Sequence, residues 1–177
     1  MKTFLLFIFL IITSLATAKV EPPNYDFSLD QFADFNPGKK IADIDKKYGN
    51  KKLSFSNGRF KTYQFYIEHI RYKFIILVQT ENDTVTDFHA RLPHYFLHDV
   101  FHQSLINRFG PQDIYKKVEE SAVYIWKNKK GFNHFYSGAC TITCFPIFYA
   151  VTPPTSPKGD YKPLISRLKE QEGLKEK

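Results

Sequence analysis

The sequence predicts an α+β protein built from two tandem units. Each unit is a helix followed by a three-stranded antiparallel meander, and the two join in one sheet with the helices on one face. Three observations carry this expectation. A shift of 61 residues lays "DIDKKYGNKK" from Asp43 over "SLINRFGPQD" from Ser104. At that offset Ile44 meets Leu105, Tyr48 meets Phe109, Gly49 meets Gly110, Tyr63 meets Tyr124, Phe65 meets Trp126, Phe74 meets Phe135 and Pro93 meets Pro154. Each stretch moves from helical spacing to runs rich in β-branched and aromatic residues, and self-similarity of this kind decides a fold before local propensity does.

The elements follow in order. Lys2, the apolar run "FLLFIFLIITSL" from Phe4 to Leu15, and the small residues Ala16-Thr17-Ala18 form a secretory signal peptide over 1–18. The run is shorter than the roughly 20 residues a membrane-spanning helix needs. Lys19 follows the cut, so a lipid-anchor cysteine is not indicated there. Residues 19–34, with Glu21-Pro22-Pro23, read as an extended lead-in.

Unit one covers 35–93. Pro37-Gly38 opens a helix with Ile41, Ile44 and Tyr48 on one stripe, and Gly49 closes it as a left-handed cap. Strands follow at Lys61 to Glu68, Tyr72 to Thr80 and Val85 to Leu92, the last two joined by the polar turn Glu81-Asn82-Asp83-Thr84. Unit two covers 94–154. Its helix carries Leu97, Phe101, Leu105 and Phe109 and stops at Gly110-Pro111, with strands at Ala122 to Asn128, Phe132 to Cys140 and Cys144 to Val151. Residues 155–177 read as a Pro-rich linker and a charged, solvated tail, in which "LISRLKEQEGLKEK" could form a short helix with Leu164, Ile165 and Leu168 as docking residues.

In this order of elements the chain resembles the β-lactamase-inhibitor-protein-like fold. The opening Pro-Gly, the short amphipathic helix ending in aromatic-Gly and the meander that follows carry the resemblance, best seen in "NPGKKIADIDKKYGNKK". Small outer-membrane assembly lipoproteins of the BamE/SmpA type carry one such unit. Unit two lacks the Pro-Gly, and the lipid-anchor cysteine of the lipoproteins is absent. The resemblance implies an exported, non-enzymatic module whose exposed sheet surface binds a protein, in some tandem members a hydrolase that it blocks.

Composition agrees with export of a folded protein. The chain has 177 residues, 18 Phe and 11 Tyr, and a formal net charge of +7. A charge of this size is the ordinary charge of a soluble domain, with a weak bias towards acidic partners. No basic cluster interleaved with a stacking platform points to nucleic acid. Cys140 and Cys144 are the two cysteines of the chain. In an oxidising compartment an even pair reads as one disulfide. Across so small a loop it contributes about 2 kcal/mol, trimming one hairpin end. A reactive dithiol or two metal ligands are the alternatives.

Three constellations are candidates for chemistry. His94, His98 and His102 recur every fourth residue and form a stripe on the second helix. Two histidines so spaced can share a zinc ion. Because the stripe lies beside Leu97, Leu105 and Phe109, half-buried structural histidines are the favoured reading, and a small exported metal-dependent enzyme is the alternative function. Asp87, His89 and Arg91 alternate on one strand face, without the serine elbow that hydrolytic chemistry would need. Asn82-Asp83-Thr84 matches a glycosylation acceptor.

With Tyr63, Phe65, Tyr124, Trp126, Phe74, Phe135, Phe88 and Tyr149 taken as core, alternation puts the other residues on an open sheet face. There Gln64, Tyr66, Glu68, Asp87, His89, Arg91, Ile125, Lys127, His134, Tyr136 and Phe148 are expected. Of these, Tyr66, Glu68, Asp87, His89, Arg91, Lys127, Tyr136 and Phe148 are the expected partner contacts. The expected function is a monomeric exported module, periplasmic or secreted, with no cofactor and no catalysis. Its partner would be a protein or cell-envelope component. The opposing possibility for the face is that its aromatics pack against each other or against the C-terminal tail.

Overall fold

The computed structural model describes residues 29–69, 72–92, 98–118, 121–138, 147–157 and 159–171. The expected signal peptide, His94 and the Cys140/Cys144 pair lie outside these residues.

Two short helices begin the described chain, α1 (Leu29–Ala33) and α2 (Ile41–Tyr48). Strands β1 (Lys52–Asn57), β2 (Phe60–His69), β3 (Tyr72–Glu81) and β4 (Thr84–Arg91) follow. Helix α3 (His98–Phe109) leads into β5 (Ile114–Val118), β6 (Ser121–Lys129), β7 (Phe132–Ser137) and β8 (Phe148–Thr152), and helix α4 spans Leu164–Gln171.

The expected fold of two helix-plus-three-strand units is overturned. The strands form a single eight-stranded sheet in the order β1-β2-β3-β4-β8-β7-β6-β5, antiparallel throughout, and the helices are few and short. The missing members were the outermost strands. Every residue of β1, "KLSFSN", is exposed, so it shows no alternation of apolar and polar side chains. In β5, "IYKKV", paired lysines interrupt the pattern. Both are extended by pairing with one neighbour, a tertiary cause that local propensity does not carry. The helices are also not confined to one face, because α4 lies on the side opposite α1, α2 and α3.

Local chemistry accounts for the elements. Ile41 and Ile44 give α2 its buried stripe, Lys46 and Lys47 occupy its last turn, and Gly49 (φ 63°) donates its N–H to Asp45 O. No side chain caps its start. Instead Ile41 N donates to Asp83 O at 3.0 Å, and Gly38 N and Val85 N bond across to Val85 O and Lys39 O, both at 2.8 Å. The helix is thereby sewn to the β3–β4 turn, where Asn82 and Asp83 adopt φ of 49° and 59°. Such residues tolerate the left-handed conformation that a two-residue hairpin demands.

One large apolar cluster fills the space between the sheet and α1–α3. It includes Phe32, Phe35, Phe65, Phe74, Phe88, Phe101, Leu105, Trp126, Tyr136 and Tyr149. Phe32 and Phe35 belong to the segment expected to be an extended lead-in and its junction with unit one. Phe32 stacks on Phe88 at 6.2 Å, and Phe35 meets Phe65 at 5.7 Å. The second cluster lies on the reverse face, where Ile165 of α4 packs on Phe148 and Ala150, with Phe135 beside them. The C-terminal tail is therefore not free in solvent: Leu164 and Ile165 are buried.

The repeat comparison also misplaced one strand. Phe65 pairs with Ile76, but Trp126 pairs with His134. The partner is eleven residues on in the first hairpin and eight in the second. An odd difference exchanges the two faces of a strand. Phe74 is therefore core, whereas Phe135 faces the reverse side, and His134 and Tyr136 point into the main core.

Candidate functional site

The two faces of the sheet hold different chemistry. On the helix side, β6, β7, β8 and α3 assemble a polar aromatic core. His98 and His102 are half-buried, stacked 5.4 Å apart, and His102 sits 4.2 Å from the Tyr124 ring. Tyr136 OH donates to Gly138 O at 3.3 Å, leaving its lone pairs to accept from His98 Nδ1 at 3.1 Å. A Cβ at position 138 would stand 2.6 Å from the Tyr136 hydroxyl, so only glycine permits this approach. His134 Nε2 donates to Lys129 O (3.1 Å), which leaves Nδ1 to accept from Tyr149 OH at 2.7 Å. Burial in the neutral form lowers the His134 pKa to about 4. It lowers those of His98 and His102 as well, and raises the Tyr136 and Tyr149 hydroxyls. Among the described residues, no group of three or more His, Cys, Asp and Glu side chains is disposed to hold a metal ion.

On the reverse face the expected partner residues divide. Tyr66, Glu68 and Arg91 are exposed. Register brings the first and last of these into one row, because Ile75 pairs with Tyr66 on one side and with Arg91 on the other. Glu68 lies two cross-strand pairs away on the same face, bonded to Lys73 at 3.1 Å. The half-buried Leu77 lies between Gln64 and His89. Lys127 is exposed too, but on β6, on the far side of β8 and β7 from this row.

The other four are corrections. Asp87 is on the expected face but wholly buried under the segment that leads into α4. Leu164 N donates to its Oδ2 at 2.7 Å, while Gln79 Nε2 (2.9 Å) and Thr86 Oγ1 (3.0 Å) donate to Oδ1. Loss of water dominates over these bonds and pushes its pKa up to about 6. The Tyr161 hydroxyl is buried close by without a hydrogen bond of normal geometry. His89 is buried against Phe148, ring centroids 4.8 Å apart, and burial together with the Arg91 charge lowers its pKa to about 4. Phe148 is buried next to Ile165. Tyr136 is on the opposite face, in the main core, for the register reason given above.

The sequence also holds two exposed apolar residues on β1 that are not among the expected contacts: Leu53 (54% exposed), paired with Tyr63 on the helix side, and Phe55 (45%), on the reverse face beneath Arg167. Tyr115 (54%) on β5 at the other edge is a third. The signal for all three is an apolar residue in a run with no polar alternation, visible only once the run is known to be an edge strand. Comparison of the chain with protein-family models, with curated proteins and with solved structures finds no match.

Proposed function

We propose that this chain is an exported binding module that recognises a protein partner through the reverse face of β2, β3 and β4. The observation that carries the reading is the cross-strand row Tyr66–Ile75–Arg91. It sets an exposed aromatic ring and an exposed guanidinium on either side of a half-buried aliphatic residue. Tyr and Arg are the side chains that interfaces favour, because each covers apolar area and still presents hydrogen-bond donors. Glu68 and Lys73 give the row a charged rim. Beneath it β3 and β4 are paired on both sides, and the Tyr66 backbone of β2, beyond the end of β1, is held by the Asn50 side chain, so little ordering entropy is lost on binding. Phe55, which pairs with Thr62, adds an apolar residue at the β1 edge of the same face.

The test is capture of partners from the envelope and medium of the producing organism by immobilised chain. Wild type should retain a discrete partner in stoichiometric amount. Tyr66→Ala with Arg91→Ala should abolish retention while the circular dichroism and thermal midpoint stay near wild type. Retention by the double variant would remove this row from consideration.

A further inference from the structure

α4 is the one described helix on the reverse face, and its seat is unlike the main core. Its apolar contact is small: Leu164 and Ile165 are buried, and Ile165 meets Phe148 and Ala150. Much of the remaining attachment is polar. Asp87 accepts the first amide of the helix, and Arg167 Nη1 donates to Gln79 Oε1 at 2.7 Å. The Arg167 guanidinium also lies 4.6 Å over the half-exposed Phe55 ring. The fit underneath is incomplete. Thr62 Oγ1 is buried without a partner, Tyr161 OH lies near Asp87 without a hydrogen bond of normal geometry, and a cavity of about 130 Å³ opens between Asn57, Phe60, Gln79 and Arg167. The segment before the helix, "PPTSPKGDYKP", is rich in proline and holds no regular structure among its described residues.

The strands beneath do not depend on this seat for their pairing or for the main core. Strands β4 and β8 pair with each other and keep their opposite faces in the main core. Detachment would expose the second cluster together with Asp87, Gln79 and Phe60. Register makes that cluster continuous with the surface described above, since Phe148 pairs with Arg91.

We propose that residues 161–171 are an intramolecular ligand covering the second half of the interaction surface, and that a partner helix of the same chemistry competes with them. The partner is defined by what the seat accepts. Its first turn offers a free backbone N–H to Asp87, two consecutive apolar side chains are buried, the second against Phe148 and Ala150, and a basic residue two positions after that reaches Gln79. This deepens the proposed function and rests on it for the partner, though not for the detachment.

Hydrogen exchange of the full chain, read by mass spectrometry, tests the detachment. Amides of α4 should exchange at least about 100-fold faster than those of β4 and β8, after correction for intrinsic rates, as expected of a separate opening unit. Arg167→Ala should speed α4 further and leave β4 and β8 unchanged. Equal rates in α4 and the two strands would overturn the proposal. Occupancy is tested with a labelled synthetic peptide of residues 161–171. It should bind full-length Ile165→Asp, whose own helix is displaced, and at least about tenfold more weakly to wild type, where the site is filled. Unfolding of Ile165→Asp, or failure of the peptide to bind it, would also overturn the proposal. If the peptide binds but neither wild type nor Ile165→Asp retains a partner, the strap stands and the proposed function fails.

Discussion

The two halves of the sheet are built alike in outline and filled differently. β1–β4 and β5–β8 each run in chain order from the edge to the centre, and each is entered from a helix. The first half buries Phe65, Ile67, Phe74, Ile76 and Val78, side chains with no polar atom. The second buries Tyr124, Trp126, His134, Tyr136 and Tyr149, with His98 and His102 beside them. A core without polar atoms demands only volume and shape. A polar aromatic core demands that each hydroxyl and ring nitrogen meet a partner, so position and protonation are fixed more tightly there. The difference teaches that the helix-side core of the first half should depend on packing, and that of the second on packing and pH; the titrating groups of the first half, Asp87 and His89, lie on the reverse face instead.

The largest effects come from matched positions. Phe65→Ala and Trp126→Ala should each cost about 3–5 kcal/mol. The tryptophan change should cost the more, because the Trp126 Nε1 bond to Gly110 O at 2.7 Å is lost and a helix-end carbonyl is left without it. Urea denaturation followed by far-ultraviolet circular dichroism reads both. A single transition should persist in each variant. Two separated transitions would mean that the halves do not share one cooperative core.

Acid should come next and act with opposite signs in two places. His89 and His134 have pKa values of about 4 in the fold, below the ordinary value of 6.5. They contribute stability that is full above pH 6.5 and is lost as pH falls towards 4, about 2–3 kcal/mol for each. Asp87 does the reverse: raised from 3.8 to about 6, it favours the fold increasingly as pH falls from 6 to 4. The groups beside its carboxylate are Gln79, Thr86, Tyr161 and the Leu164 amide; Arg167 reaches it only through Gln79. Two histidines outweigh one carboxylate, so the thermal midpoint should fall between pH 6.5 and 4. Asp87→Asn should make that fall steeper. A shallower fall in the variant would show that the carboxylate is charged and well paired beneath α4.

Gly138→Ala is a smaller break confined to the second half. The added methyl must displace the Tyr136 ring, 2.6 Å away at its hydroxyl and 2.9 Å at Cζ. Overpacking of this kind costs about 1–3 kcal/mol. Combined with Tyr136→Phe, the loss should shrink, since the nearest clashing atom is then gone. Strictly additive losses would locate the strain in the backbone at 138 instead.

How much of this was legible in the sequence depends on the element. The stripe Ile41–Ile44–Tyr48 with Gly49, and the inner strands β2 to β4, carry local signals strong enough to read. The core pairs Tyr63 with Tyr124 and Phe65 with Trp126 also lie on the helix side, as expected. The outer strands could not be read, because β1 is fully exposed and owes its conformation to β2 alone. The faces of Phe135, His134 and Tyr136 were misread because a shared offset carries no record of a hairpin three residues shorter. Asp87, His89 and Phe148 were put on the correct face but taken as open. The cover is α4, a helix whose "LISRLKEQ" looks like a solvated tail until Asp87 is seen to accept its first amide. Tyr66, Glu68 and Arg91 alone of the clustered candidates stayed exposed together.

The smallest predicted effect separates a binding role for Arg91 from a structural one. Arg91 is exposed, so Arg91→Ala should change the global stability by no more than about 0.5 kcal/mol. Its charge is nevertheless felt by the buried neighbour two residues back. Burial is the larger reason for the low His89 pKa, and the Arg91 charge is the second. A positive charge close by disfavours a second one on the imidazole. Removing it should therefore raise the His89 pKa, still below 6.5 because the burial remains. Proton NMR of the His89 ring through an acid titration would show the upward move. Through linkage, the acid loss owed to His89 should shrink slightly, so Arg91→Ala should be a little less acid-sensitive than wild type while losing partner retention. A variant that loses retention with the His89 titration unmoved would mean that the guanidinium points away from β4 and towards the partner. A variant that loses stability at pH 7 by more than 1 kcal/mol would mean that Arg91 holds the sheet rather than presents from it.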